Sequence, residues 1–323
     1  MCTAISVTVK DHYFGRNLDY EHTFGEKITI TPRNYPFVFR NQKELKSHYA
    51  IIGMALPYND YPLYFDASNE KGLSIAGLNF PDNAKYMKNI YGKDNIASFE
   101  VIPWILGRCE TVSDAKKLIS KINITDEAFS SRVSPSPLHW IIADKQKAIT
   151  LEQTKSGITV SENSVGVLTN NPTFDIQIFN LSNFMHVSPE EPENKFSDKI
   201  NLKTYSRGMG GKGIPGDLSS MSRFVKACFT KLNSVCGESE QEAVNQFFHI
   251  LYSVYQQKGC ARVGEGYEIT NYTSCCNTDK GIYYYTTYNN STINAVDMNK
   301  ENLNGDRLIV YDIIEAKKFN IQN

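Results

Sequence analysis

The sequence predicts an α+β protein. Strand-like stretches, rich in β-branched and aromatic residues between turn signals, cluster at both ends of the chain. The longer amphipathic runs fall in the middle and later segments, without the strand–helix alternation of βαβ units.

In chain order, residues 3–9 alternate apolar and polar side chains, the pattern of a half-buried strand. Residues 13–15, 27–31, 50–56 and 73–77 are further strand candidates. Residues 99–107 are apolar and predict a buried helix. Thr111-Val-Ser-Asp114 resembles a capping box, with Asp in the usual Glu place, ahead of an amphipathic run ending near Ile122. Residues 130–137 (SSRVSPSP) read as a loop. Strands at 138–143 and 148–153 flank a charged turn, and a strand at 165–169 runs into Asn170-Asn171-Pro172. After a polar loop at 189–194 come helices at 219–232 and 240–257. Strands at 281–288, 292–298 and 307–311 close the chain. No internal repeat or long linker divides the 323 residues, so a single domain over 1–323 is expected.

Composition narrows the function. A 41% hydrophobic content suits a large core and excludes a disordered chain. A net charge of −1 and a pI near 6.6 give no excess for nucleic acid or anionic membrane. Mean hydropathy is −0.38, and no apolar run approaches the roughly 18 residues of a membrane span. The N-terminus has neither a basic region nor a long apolar one, so a cytoplasmic location is expected. Seven cysteines without a CxxC argue against a disulfide framework. Cys275 and Cys276 are neighbours in a strand-like stretch and point to opposite faces. The six histidines show no helical pair, and neither metal nor cofactor is expected. Gly208-Met-Gly-Gly-Lys-Gly213 spells G-x-G-x-x-G, but no strand precedes it and no helix follows. It reads as a glycine loop rather than a dinucleotide site. His139 reads as a core or pocket residue, and Tyr283-Tyr284-Tyr285 as strand packing.

One position carries chemistry. Met1 precedes Cys2, and initiator methionine is normally excised before a small residue. Excision leaves Cys2 with a thiol and a free α-amine, a nucleophile and a base in one residue. If Met1 stays, that amine is locked in a peptide bond. Polar residues at strand and helix ends supply partners. Arg16 and Asp19 sit just after a strand, Asn79 and Asn170 end strands, and Arg223 begins a helix. The cations favour a thiolate, Asp19 orients the amine, and the amides hold a developing oxyanion.

Several segments combine in an ordered set: Met1-Cys2-Thr3, Phe14-Gly15-Arg16-Asn17 with Asp19, Asn69-Glu70-Lys71-Gly72-Leu73, Gly77-Leu78-Asn79-Phe80-Pro81, Leu138-His139-Trp140, Gly166-Val167-Leu168-Thr169-Asn170, Pro172-Thr173-Phe174, Ser222-Arg223-Phe224, and Tyr272-Thr273-Ser274-Cys275 with Gly281-Ile282-Tyr283-Tyr284-Tyr285. The set resembles the choloylglycine hydrolase family, the conjugated bile salt hydrolases and penicillin V acylases among the N-terminal-nucleophile hydrolases. The resemblance implies a four-layer αββα sandwich, a homotetramer and no cofactor. It implies cleavage of the amide joining a bile acid to glycine or taurine, through a thioester on Cys2. In that pattern Arg16 lies beside the sulfur and Asp19 contacts the α-amine. Asn79, through its backbone N–H, and Asn170 form the oxyanion hole, and Arg223 completes the network. Bile-salt enzymes of the family tend to carry Asn where penicillin V acylases carry Tyr, so Asn79 favours conjugated bile salts as the small-molecule partner. Leu18, Tyr58, Phe65, Phe129, Val133 and Leu138 match the family's pocket positions. The competing readings are a penicillin V acylase or other N-acyl amidase, and a non-enzymatic amphiphile carrier.

Overall fold

The computed structural model describes residues 1–316 and 319–323. Two antiparallel sheets form its centre. The six-stranded sheet runs in the order Val167–Leu168, Cys2–Thr8, His12–Tyr20, Ile269–Asn277, Ile282–Thr287, Asn294–Asp297. The eight-stranded sheet runs Gly157–Glu162, Ala148–Thr154, Leu138–Ala143, Ser74–Asn79, Tyr61–Asn69, Ile51–Tyr58, Lys27–Thr31, Ile309–Tyr311.

The period of two along each strand sorts the core into layers. Ile52, Met54, Ala76, Leu78, Ile141 and Ala143 face the six-stranded sheet and share one core with Ala4, Ile5 and Tyr272. Ile51, Ala55, Ile75, Trp140 and Ile142 face the other way and pack with Val101, Trp104, Ala115 and Ile119. Those last residues belong to the helices Val101–Leu106 and Val112–Ile119. On the far side of the six-stranded sheet lie the helices Ser220–Asn233 and Glu240–Tyr252. The result is the four-layer αββα sandwich.

Thr111 caps its helix by accepting the Asp114 N–H. That helix stops at Ile119, and Ile122–Thr125 pairs parallel with Asp94–Ala97. The helix expected to reach residue 257 ends at Tyr252. There the Gln256 N–H turns to Thr270 Oγ1 and its side chain to Asp19, which draws the chain off the helical path. Arg16 and Asp19 lie within the strand His12–Tyr20 rather than after it. Both faces of that strand are buried, so its polar residues do not mark an end. The strands Tyr61–Asn69 and Gly157–Glu162 and the helix Phe174–Leu181 had no counterpart in the sequence reading. The glycine loop has a single 3-10 turn, Met209–Gly211, in keeping with the loop reading.

Candidate active site

Cys2 opens the central strand Cys2–Thr8. Its cross-strand partner is Leu18, and Arg16 opposes Ala4. Directly opposed residues project to one face, so Cys2, Arg16 and Leu18 all face the eight-stranded sheet. Thr3, Asn17 and Asp19 project to the helical side. Thr3 Oγ1 there accepts Arg223 Nη1 at 2.7 Å, and Asn17 Nδ2 donates to the Leu251 carbonyl at 2.9 Å.

Asn170 lies just beyond the short strand Val167–Leu168, which pairs with Ala4 and Ile5. That pairing brings it beside Cys2. Its Oδ1 accepts the Cys2 backbone N–H and Arg223 Nη2, both at 2.8 Å. Its Nδ2 donates to the Asn79 carbonyl at 2.7 Å. Arg223, in the first turns of its helix, also donates to the Cys2 carbonyl at 2.6 Å and lies 3.9 Å from the Asp19 carboxylate. Asp19 accepts Thr270 Oγ1 at 2.6 Å and Gln256 Nε2 at 3.2 Å. Burial pushes its carboxyl upward, against the pull of Arg223, the chain's amino group and the Thr270 hydroxyl. The Met1 ammonium rests against the Asp19 backbone carbonyl and the Glu268 carboxylate, and burial lowers its proton affinity.

The eight-stranded sheet opens opposite Cys2. Ser74–Asn79 and Tyr61–Asn69 pair only from Asp66–Ala76 to Ser68–Ser74. Phe65 is an extra residue there, because Met54 pairs with Asp66 while Ala55 pairs with Tyr64. Beyond the bulge the strands diverge, and Arg16 fills the split. Its Nη1 donates to the Gly77 carbonyl at 2.5 Å and the Phe65 carbonyl at 3.1 Å. Burial disfavours this guanidinium, but the Cys2 thiol, Tyr272, Asp66 and Asp19 outweigh it and raise its proton affinity. Asp66 accepts hydroxyls from Tyr272 and Tyr283 at 2.7 Å and from Ser274 at 3.0 Å, a buried carboxylate that sequence reasoning missed.

The split also orients Asn79. The Phe80 N–H donates to the Pro137 carbonyl at 2.7 Å, so the neighbouring Asn79–Leu138 pair is of the non-hydrogen-bonded kind. The Asn79 N–H and C=O therefore turn away from Leu138, toward the split. The carbonyl meets Asn170, and the N–H faces the opening.

A cavity of about 290 Å³ runs from Cys2 through this split. Leu18, Phe65, Phe129, Val133 and Leu138 line it, with Leu56, Leu63, Phe99 and Ile102 as additions no sequence pattern singled out. Cys2, Arg16, Asp19 and Asn79 are among its lining residues, while Asn170 and Arg223 are not but hydrogen-bond to the Cys2 backbone. Tyr58 lies outside the lining. It sits at the hairpin end, one same-face step beyond Leu56, with its ring edge-on to Phe129 at 5.9 Å. Among the described residues, no three His, Cys, Asp or Glu side chains gather as metal ligands, and none of the helices is long and apolar enough to cross a membrane.

Two sheets between helical layers, with a thiol heading an inner strand at the mouth of an apolar cavity, make this an N-terminal-nucleophile fold arranged for amide hydrolysis. The model of the linear amide C–N hydrolases, choloylglycine hydrolase family, matches residues 2–311. A bile salt hydrolase/transferase of Lactiplantibacillus plantarum is 55% identical over 97% of each chain. The bile salt hydrolase/transferase of Clostridium perfringens is 40% identical over 100% of both. A crystal structure of a variant of the conjugated bile acid hydrolase from C. perfringens superposes with a TM-score of 0.93 at 39% identity, covering 100% of both chains. Penicillin V acylase from Agrobacterium tumefaciens shares the fold, with a TM-score of 0.77 at 17% identity over 97% of this chain and 91% of that one. The chain belongs to the choloylglycine hydrolase family and is a C–N amide hydrolase.

Proposed function

We propose that the protein is a bile salt hydrolase that uses Cys2 as its nucleophile after loss of Met1. The observation that carries this reading is the opening of one apolar cavity onto Cys2, Arg16 and Asn79. The relatives' names support the substrate class. The sulfur attacks the amide carbon, and the carbonyl oxygen becomes an oxyanion facing the Asn79 N–H and the Asn170 amide. The α-amine of Cys2, with an ordinary pKa of about 7.7–8.0, takes the thiol proton and returns it to the departing glycine or taurine nitrogen. Water then cleaves the thioester and regenerates the thiol. The same thioester met by a free amine instead of water gives acyl transfer, the second activity in the relatives' names. Arg16 places its guanidinium on the Cys2 face of the strand, held by the Gly77 and Phe65 carbonyls. Arg223 holds the N-terminal residue through Asn170, Thr3 and the Cys2 carbonyl, and the Asp19 carboxylate lies 3.9 Å from Arg223.

Wild-type protein should release free glycine and taurine from glycocholate and taurocholate, and Cys2→Ala should abolish release. Normal turnover by Cys2→Ala refutes the nucleophile. Intact mass should show loss of Met1, and a retained Met1 in active enzyme removes the α-amine base. A penicillin V acylase is the second reading, and Asn79 weighs against it. A higher kcat/KM for penicillin V than for glycocholate reverses that choice.

A further inference from the structure

We propose that His139, oriented by Glu152, serves as a positioning residue for Asn170. The inference rests on the reading of Asn170 as an oxyanion-site group. His139 is fully buried on the face of the eight-stranded sheet that meets the six-stranded one. Its Nε2 lies 2.9 Å from the Thr169 carbonyl and its Nδ1 lies 3.0 Å from Glu152 Oε1. A carbonyl only accepts, so Nε2 carries a hydrogen. Nδ1 faces a carboxyl oxygen, and that contact needs a proton between them. Glu152 is itself an acceptor. The Phe174 N–H, in the first turn of Phe174–Leu181, reaches Oε1 at 3.1 Å and Oε2 at 3.3 Å. One proton between Nδ1 and Oε1 joins ring and carboxyl, so the Glu152 contact fixes the direction in which Nε2–H points at Thr169. The ring also stacks flat on Phe80, at 4.1 Å and 7°.

The acceptor explains the role. The Thr169 carbonyl belongs to the peptide group whose nitrogen is that of Asn170. The N–H of this group donates to Ser220 Oγ at 2.8 Å. The plane is thus gripped at its carbonyl by the eight-stranded sheet and at its N–H by the Ser220–Asn233 helix. From it the Asn170 side chain reaches Cys2, Arg223 and Asn79.

The test begins with wild-type enzyme labelled with 15N-histidine. Long-range 1H–15N spectra should show His139 Nε2 protonated, and an unprotonated Nε2 overturns the bond to Thr169. Glu152→Gln, whose amide can donate to Nδ1, should keep the Nε2–H bond to Thr169. His139→Phe keeps the stack on Phe80 and loses the strut. Its kcat on glycocholate should fall at least about tenfold, with KM within about twofold. Alkylation of Cys2 by iodoacetamide, which forms no oxyanion, should stay within about twofold. His139→Gln, which retains a donor toward Thr169, should recover part of the lost kcat and serves if the Phe variant does not fold. Asn170→Ala separates the two readings. If it abolishes turnover while His139→Phe leaves kcat intact, the positioning role falls alone. If Asn170→Ala turns over normally, the oxyanion reading falls with it.

Discussion

At the scale of single residues, polarity inside this sandwich is organised by partner rather than by exposure. Asp66, Asp19, Arg16 and Arg223 are all buried, and each is met by hydroxyls, carbonyls or an opposite charge. His12 shows the other outcome. It is fully buried between the Ser6 and Thr278 hydroxyls, each 2.9 Å from a ring nitrogen. Burial lowers its pKa from 6.5 to about 4, with Asp144 and Asp279 pulling only partly the other way. Between those values the unfolded chain binds a proton that the folded chain does not. Stability from His12 is therefore complete above pH 6.5 and is lost as the pH falls toward 4. The loss is about 3 kcal/mol at 1.36 kcal/mol per unit. His12→Gln should flatten the fall of Tm between pH 6.5 and 4 in thermal melts, and a slope as steep as the wild type's rules this out. Residue identity alone showed little of this. Arg16 and Asp19 were legible as chemically apt groups, but Asp66, Glu152 and Glu268 look like ordinary surface acids. Only an acidic residue inside the run Tyr64-Phe-Asp66-Ala-Ser68 hinted at a buried one.

Among the elements, strands with a clean alternation or a β-branched run were legible, such as Lys27–Thr31 and Leu138–Ala143. Tyr61–Asn69 was hidden by Pro62, by Asp66 and by the bulge at Phe65, which breaks its period of two. That irregularity opens the cavity, so the site's least readable strand is the one that shapes it. The loop over the cavity depends on ring contacts rather than a ladder. Phe129 packs on Tyr61 at 5.5 Å and on Phe99 at 5.1 Å, with the Arg40 guanidinium 5.4 Å from its centroid. Phe129→Ala removes an apolar wall remote from the sulfur. Its effect belongs to binding shared by ground and transition states. KM for glycocholate should rise about tenfold with kcat within about twofold. Steady-state kinetics decide, and a fall in kcat at unchanged KM places Phe129 in the chemistry instead.

For the whole molecule, the assembly of the site across layers explains why the sequence offered its residues only as separate apt groups and the family resemblance was needed to join them. Cys2, Asn79, Asn170 and Arg223 come from four elements distant in sequence, and no local period brings them together. We propose that the chain folds as one unit, because the core between the sheets draws on both of them. One surface feature remains outside that core. Phe179, Met185, Phe196 and Tyr205 are 74%, 84%, 84% and 79% exposed, all on the excursion at residues 174–219, which begins with the helix Phe174–Leu181 and runs to Ser220–Asn233. We propose that these side chains form an interaction surface with a second copy of the chain, since most soluble oligomers are closed homo-oligomers and the family resemblance implies a tetramer. The excursion contributes no residue to the cavity lining, so assembly and turnover are separable. Light scattering on the wild type should give a multiple of 36.6 kDa. Phe179→Asp combined with Phe196→Asp should lower that mass toward one chain while kcat per chain stays within about twofold. A wild type of one-chain mass, or a double variant that keeps the full assembly, rejects this surface as the contact.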